Sequence, residues 1–203
     1  MLFRSGYVAG AKTIGGLTLG TTALGYALRR GSDAPIPITF NGQNASAGSP
    51  GENWAAVAAA SSGSGYQVYW NNSVTQQYSR WLLDPSGALT TAAILSPAAL
   101  YAAESSIQDD LNRDGITGLP FTPTATIGGL SLGTTPFGYA LQSAGGAPLP
   151  ITFSGGNASA SNPGANWTAI AAASTATGFD CYWRNTVDRK STRLNSSHLV
   201  ISY

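Results

Sequence analysis

The sequence repeats itself at an offset of 113 residues, and this repetition constrains the fold more than any other feature. Residues 13–74 align without a gap with residues 126–187, and 38 of the 62 aligned pairs are identical. The words T-I-G-G-L, G-Y-A-L and P-I-T-F occur in both copies. Because a tandem repeat folds as successive copies of one unit, we expect a complete unit at 6–118, a linker at 119–125 and a truncated second unit at 126–187.

Both ends of the chain resemble the translation of a sequencing adapter. Residues 188–198 read D-R-K-S-T-R-L-N-S-S-H, an in-frame translation of a widely used adapter, and M-L-F-R-S at 1–5 fits its reverse complement. The repeat similarity stops at Val187, directly before the adapter-like segment. We therefore predict that 1–5 and 188–203 are adapter-derived and that 6–187 is a metagenomic fragment. Its second unit would lack the counterpart of 75–125 and expose a strand edge, to which we expect the β-prone tail at 199–203 to pair.

Charge and residue usage argue against catalysis and against nucleic-acid binding. The one histidine, His198, lies in the adapter-like tail, so no histidine is available for proton transfer or metal ligation. Four of the ten basic and one of the nine acidic residues also lie in the adapter-like ends, which leaves a net charge near minus two. Asp33 and Glu52 become Gly146 and Ala165 in the second copy, so the copies share no acidic pair. We expect no enzyme.

Alternating apolar residues predict strands in each unit. Leu17 and Leu19 alternate with small polar residues, and 54–60, whose alanines also suit a helix, reads better as the first strand of a hairpin. The other predicted strands of the complete unit are 25–28, 36–40, 66–70 and 76–83. Ser96 is placed as an N-cap and Pro97 at the first helical position, so a helix is predicted over 98–109. We expect a mainly β fold of small sandwich or barrel-like units, each closed by one C-terminal helix and a calcium-type loop.

The segment D-L-N-R-D-G-I-T-G at 110–118 has the spacing of a calcium loop. Asp110, Asn112 and Asp114 take positions one, three and five, and the carbonyl oxygen of Ile116 takes position seven. Phe121 stands at position twelve, where such loops carry a bidentate glutamate, so the predicted affinity for calcium is weak. A turn rich in Asp and Asn that caps the helix without a metal is the alternative interpretation.

Several aromatic and acidic motifs together resemble a known family. They are N-W-A-A-V at 53–57, G-Y-Q-V-Y-W at 65–70, Q-Y-S-R-W at 77–81 and E-S-S-I-Q-D-D-L-N-R-D-G-I-T-G at 104–118. The chain is similar in these motifs to the tryptophan-rich C-terminal repeat family of bacterial surface and secreted proteins, which often also carry hemolysin-type calcium-binding repeats. The resemblance implies an extracellular, non-catalytic repeat. Arg113 departs from it, since the family commonly has glycine there.

The tryptophans of these motifs could serve either core packing or sugar binding. Trp54, Trp70 and Trp81 would suit a platform for stacking sugar rings, although the recurrence of Trp54 and Trp70 in the second copy favours packing. Cys181, the one cysteine, is predicted to be buried and unreactive.

The sequence thus predicts a calcium-binding structural or adhesive repeat of a secreted or cell-surface protein, with a carbohydrate-binding module as the alternative. Neighbouring repeats and an extracellular glycan or protein are the expected partners, and no transmembrane segment is expected.

Overall fold

The computed structural model describes residues 6–187 and, for the backbone only, 191–194. Antiparallel strands dominate these residues, and one α-helix accompanies them. The prediction of a mainly β fold is confirmed, and no closed barrel forms within the described residues. The chain divides into two compact units at the boundary between Gly118 and Leu119. No described helix is long and apolar enough to span a membrane.

The first unit contains ten strands and the helix. They are β1 Val8–Ile14, β2 Leu17–Thr22, β3 Gly25–Arg30, β4 Ile36–Pro37, β5 Thr39–Phe40, β6 Gln43–Asn44, β7 Trp54–Ser62, β8 Gly65–Asn72, β9 Tyr78–Leu83, β10 Leu89–Ile94 and α1 Pro97–Ile107. Two four-stranded antiparallel sheets form, in the orders β1-β2-β3-β4 and β10-β9-β8-β7, and β5 pairs with β6. Strands β1, β6 and β10 are additional to those predicted, while 54–60 is strand as predicted.

The two sheets of the first unit face each other across an apolar core. Leu17, Leu28 and Ile38 from the first sheet and its continuation meet Val68 and Trp70 from the second. The inward positions alternate along β2 and β3 because successive side chains of a strand point to opposite faces. This is a small two-sheet sandwich, in which burial of apolar area supplies the main stabilising free energy.

Helix α1 covers the opposite face of the second sheet. Leu100, Ala103 and Ile107 are buried against Tyr69 and the alanines of β7. The helix starts as predicted: Pro97 is its first residue, and the hydroxyl of Ser96 accepts a hydrogen bond from the Ala99 amide at 3.2 Å. It ends at Ile107, two residues before the predicted end, because Gln108 adopts a left-handed conformation that stops helical hydrogen bonding.

The second unit contains eight strands within the fully described residues. They are β11 Thr122–Ile127, β12 Leu130–Thr135, β13 Gly138–Ser143, β14 Leu149–Pro150, β15 Thr152–Phe153, β16 Gly156–Asn157, β17 Trp167–Thr175 and β18 Gly178–Asn185. Strand β11 begins inside the segment 119–125 that the sequence predicts as a linker. Its core repeats that of the first unit, with Leu130, Leu141, Ile151, Cys181 and Trp183 buried together.

A short strand, β19 Ser191–Leu194, pairs with the free side of β18. Cys181 lies opposite Leu194, as Val68 lies opposite Trp81 in the first unit, so the pairing uses the register that β8 and β9 use. The tail predicted to occupy this edge, 199–203, and the other adapter-like residues, 1–5, 188–190 and 195–198, lie outside the described part of the chain.

Candidate metal site

The loop after α1 folds back on the carboxylate of Asp110. One oxygen of Asp110 accepts a hydrogen bond from the amide of Arg113 at 2.6 Å, and the other accepts one from the amide of Gly115 at 2.9 Å. Gly115 has φ 89°, a conformation that glycine adopts without steric cost. The first predicted ligand therefore draws the chain into a tight coil, in which later positions of the loop approach the first.

Asn112 and Asp114 extend this coil. The side-chain carbonyl of Asn112 accepts a hydrogen bond from the Asp114 amide at 2.8 Å, and the carboxylate of Asp114 accepts one from the Ile116 amide at 2.8 Å. The Asn112 amide group also donates to Asp114 at 3.1 Å, so these two predicted ligands lie side by side. Each side chain at positions one, three and five thus accepts a backbone N–H of the loop, which is the pattern of Asx turns.

A buried carboxylate, Glu104, anchors the loop to the helix. Glu104 is fully buried, and one of its oxygens accepts hydrogen bonds from the amides of Leu111 and Asn112, both at 3.1 Å. The other oxygen accepts one from the Gly118 amide at 3.2 Å. Glu104 thus ties both ends of the loop to one point of α1. The sequence carried a signal for this role, because Glu104 lies on the same helix face as Leu100 and Ile107.

Two opposing effects act on the proton affinity of Glu104. Burial raises the pKa of the carboxyl group, the amides of Asn112 and Gly118 lower it, and the balance leaves the pKa above its ordinary value. A raised folded-state pKa means that the folded unit binds the proton more tightly than the unfolded chain does. The stability contributed by protonated Glu104 is therefore present at acidic pH and is lost as the pH rises through the folded-state pKa.

A surface ion pair joins the loop to β1. The Lys12 ammonium donates to both carboxylate oxygens of Asp109, at 2.7 and 2.8 Å. The side chain of Lys12 is 44% exposed, so the pair contributes little free energy in water. The ion pair directs the carboxylate of Asp109 toward β1. This carboxylate therefore points away from the oxygens of Asp110 and Asp114.

The oxygens of the loop fit a hard cation better than a transition metal. The donors are the carboxylates of Asp110 and Asp114, the amide oxygen of Asn112 and a backbone carbonyl, which is a set that calcium accepts. Within the described residues, no three His, Cys, Asp or Glu side chains cluster closely enough to hold a metal by themselves. A cation held in this loop would therefore also need Asn112 and the Ile116 carbonyl as ligands. Arg113, in a left-handed conformation with φ 61°, adds a positive charge to the loop.

Trp70 and Trp81 lie in the core of the first unit. Trp70 is 0% exposed and Trp81 is 4% exposed, and their rings contact each other in the core with centroids 4.6 Å apart. The alternative in which these two residues stack on sugars needs exposed ring faces, which their inward positions on β8 and β9 do not provide. Trp54 is half-buried and packs against the same core cluster. Tyr26 meets Trp70 edge-on with centroids 5.3 Å apart.

Cys181 is expected to be chemically inert in the folded protein. The side chain is 0% exposed, and burial raises the pKa of its thiol to about 11. Compared with an ordinary thiol of pKa near 8.5, this lowers the thiolate fraction at neutral pH by about 300-fold. We expect the native chain to react with a disulfide reagent at pH 7.5 at least about 100-fold more slowly than the urea-unfolded chain. Equal rates in the two states would contradict the burial of Cys181.

Comparison with known proteins assigns the first unit to a family. The model of the tryptophan-rich Synechocystis species C-terminal domain matches residues 17–118. The match spans β2 to β10, α1 and the loop that contains Asp110, Asn112 and Asp114. No curated protein and no solved structure matches the chain. This match agrees with the aromatic motifs of the sequence and with the sandwich core that contains Trp70 and Trp81. The chain therefore belongs to the family of the tryptophan-rich Synechocystis species C-terminal domain.

Proposed function

We propose that this chain is a non-catalytic structural or adhesive repeat of a secreted or cell-surface protein, and that calcium binds the loop at 110–116 of its first unit. The observation that carries the proposal is the coil around Asp110, whose carboxylate gathers the amides of Arg113 and Gly115. A carboxylate oxygen that accepts one N–H still has a lone pair for a cation. Asp110, Asn112, Asp114 and the Ile116 carbonyl would hold the ion, and its charge would offset the repulsion between the two carboxylates.

The role proposed for calcium is to stiffen the connection between successive repeat units. The loop lies between α1, which completes the first unit, and Leu119, where the second unit begins. Glu104 fixes the loop to the helix through the Leu111, Asn112 and Gly118 amides. The exposed loop residues lie between the contacts of Glu104 with Leu111 and Asn112 and its contact with Gly118. A cation bound to these residues would restrict the conformations of the chain up to Gly118. Neighbouring repeats are accordingly the first partners that we propose.

The proposed location outside the cell follows from the expected affinity. Two carboxylates, one amide and one carbonyl, with Arg113 among them, form a weak site by comparison with loops that add a bidentate glutamate. Dissociation constants of about 10⁻⁴ to 10⁻³ M are typical of extracellular modules, which meet millimolar calcium. Such a site would be filled outside a cell and empty at the far lower calcium concentrations of a cytosol.

Calcium titration of the full chain tests the proposal. We expect a dissociation constant of about 10⁻⁴ to 10⁻³ M by isothermal calorimetry. Asp114→Asn keeps an oxygen that can accept the Ile116 amide but removes one charge, and we expect about ten-fold weaker binding. Asp33→Asn is the matched control, because Asp33 is an exposed carboxylate of the same unit outside the loop. Absence of heat at millimolar calcium, or an equal effect of the two substitutions, would refute the site.

Terbium gives an independent measurement. Tyr78 and Tyr101 lie close enough to the loop for Asp110 to affect the pKa of Tyr78 and for Asp114 to affect that of Tyr101. Excitation of these phenols should sensitise terbium bound in the loop, and millimolar calcium should displace it. The Asp114→Asn chain should show a weaker signal, while the Asp33→Asn chain should match the unaltered protein.

A further inference from the structure

A groove of 380 Å³ opens at the surface of the first unit among β1, β2 and β7. Ala55 and Ala56, whose side chains are single methyl groups, line part of it. Leu19 and Tyr26, both half-buried, supply apolar walls. Pockets for small molecules start at about 300 Å³ and are mostly apolar with a few polar groups. The groove is open to solvent, and its volume lies near the lower end of the range of small-molecule pockets.

Two cations lie at this groove, and only one of them is paired. Lys12 donates to both oxygens of Asp109, so its charge is already neutralised. Arg113 is exposed, and the single ion pair within the described residues is the one between Lys12 and Asp109. The Arg113 guanidinium is therefore free to pair with an anion, and its planar fork matches the two oxygens of a carboxylate.

The second unit offers a comparison within the same chain. Thr168 and Ile170 replace Ala55 and Val57 at the aligned positions, so the side chains there are larger. Ala125, the residue before the aligned Thr126, stands where the first unit has Lys12. Gly20 and Ala56 recur in the second unit as Gly133 and Ala169. Among the positions compared, the two units therefore differ at Lys12, Ala55 and Val57.

We propose that this groove binds a small apolar carboxylate. The carboxylate would pair with the guanidinium of Arg113, and the apolar body would lie against Leu19, Val57 and Tyr26. The ion pair between the carboxylate and Arg113 would orient the ligand, and burial of its apolar body would contribute most of the binding free energy. Arg113 belongs to the loop proposed to bind calcium, but none of the proposed calcium ligands takes part in this site, so a buffer that contains a chelator tests the two proposals separately.

Fluorine NMR of the full chain with 4-(trifluoromethyl)benzoate tests the proposal in a buffer that contains a calcium chelator. We expect a saturable shift of the fluorine resonance with a millimolar dissociation constant. The neutral analogue 4-(trifluoromethyl)benzyl alcohol should bind about five-fold more weakly, because it lacks the charge that pairs with Arg113. Amide resonances of Ala55, Ala56 and Val57 should shift with the carboxylate.

Arg113→Gln is the decisive variant. Arg113 is exposed and its substitution keeps the left-handed backbone occupied by a long side chain, so the fold should persist. We expect about five-fold weaker binding of the benzoate and no change for the alcohol. Arg30→Gln is the control of equal charge change, since Arg30 is exposed, outside the groove and bonded to Ser61. Equal binding by the Arg113→Gln chain, equal affinity for acid and alcohol, or no saturable shift at about 10 mM would overturn the proposal.

Discussion

Glu104→Gln is expected to lower the free energy of unfolding of the first unit by about 3 kcal/mol. Glutamine has nearly the shape of glutamate, but only one of its two terminal atoms accepts a hydrogen bond. If its oxygen keeps the amides of Leu111 and Asn112, its NH₂ group faces the Gly118 amide, and a buried donor loses its acceptor. Urea unfolding and hydrogen exchange at these three amides would measure the effect.

Glu52→Gln is the matched control for that experiment. Glu52 is exposed and lies in the same unit, so the same chemical change there should alter the free energy of unfolding by less than about 0.5 kcal/mol. Exchange at Leu111, Asn112 and Gly118 should accelerate in Glu104→Gln only. Unchanged exchange at all three amides would mean that Glu104 does not organise the loop.

Trp70→Ala is expected to destabilise the first unit by about 3–5 kcal/mol. Trp70 is 0% exposed and contacts both Tyr26 and Trp81, so its removal leaves a cavity at the centre of the sandwich. Backbone strands on both sides restrict collapse of that cavity, which places the cost in the upper part of the usual range for large-to-small substitutions. Thermal unfolding of the full chain followed by calorimetry would measure it.

The second unit supplies the matched substitution, Trp183→Ala. Trp183 is 1% exposed and meets Tyr139 edge-on with centroids 5.3 Å apart, as Trp70 meets Tyr26. Each substitution should destabilise its own unit by a similar amount. Trp54→Ala should cost less, because Trp54 is only half-buried. A smaller loss of stability for Trp70→Ala than for Trp54→Ala would contradict the placement of Trp70 at the centre of the core.

The strands and the helix could largely be predicted from the sequence because local patterns determine them. Leu17 and Leu19 alternate with polar residues, and Ser96 followed by Pro97 marks a helix start irrespective of tertiary structure. Strand β1 was not predicted, because V-A-G-A-K at 8–12 has two alanines and a glycine, which disfavour strands. Its pairing with β2 decides the outcome there, and no short-range pattern reveals such pairing.

The residues of the site were harder to predict because their roles depend on the direction in which each side chain points. The spacing of Asp110, Asn112 and Asp114 indicated the loop. The position of Glu104 on the apolar helix face indicated that it is buried, but not that its carboxylate accepts hydrogen bonds from the loop amides. The same difficulty left both packing and sugar stacking open for Trp70 and Trp81, since a tryptophan on a strand faces either the core or the solvent according to the sheet that covers it. The sequence alone did not show that a second sheet covers these two.

Strand β8 separates two different interiors, and this has a consequence for how the repeat can vary. Tyr69 faces α1 while its neighbour Trp70 faces the first sheet, and both are almost fully buried. In the second unit the described residues include no helix, and the equivalent Tyr182 is half-buried although Trp183 remains enclosed. Inserting one residue into β8 would therefore place each ring on the opposite face of the sheet. The spacing within this strand should be the most invariant length in the repeat.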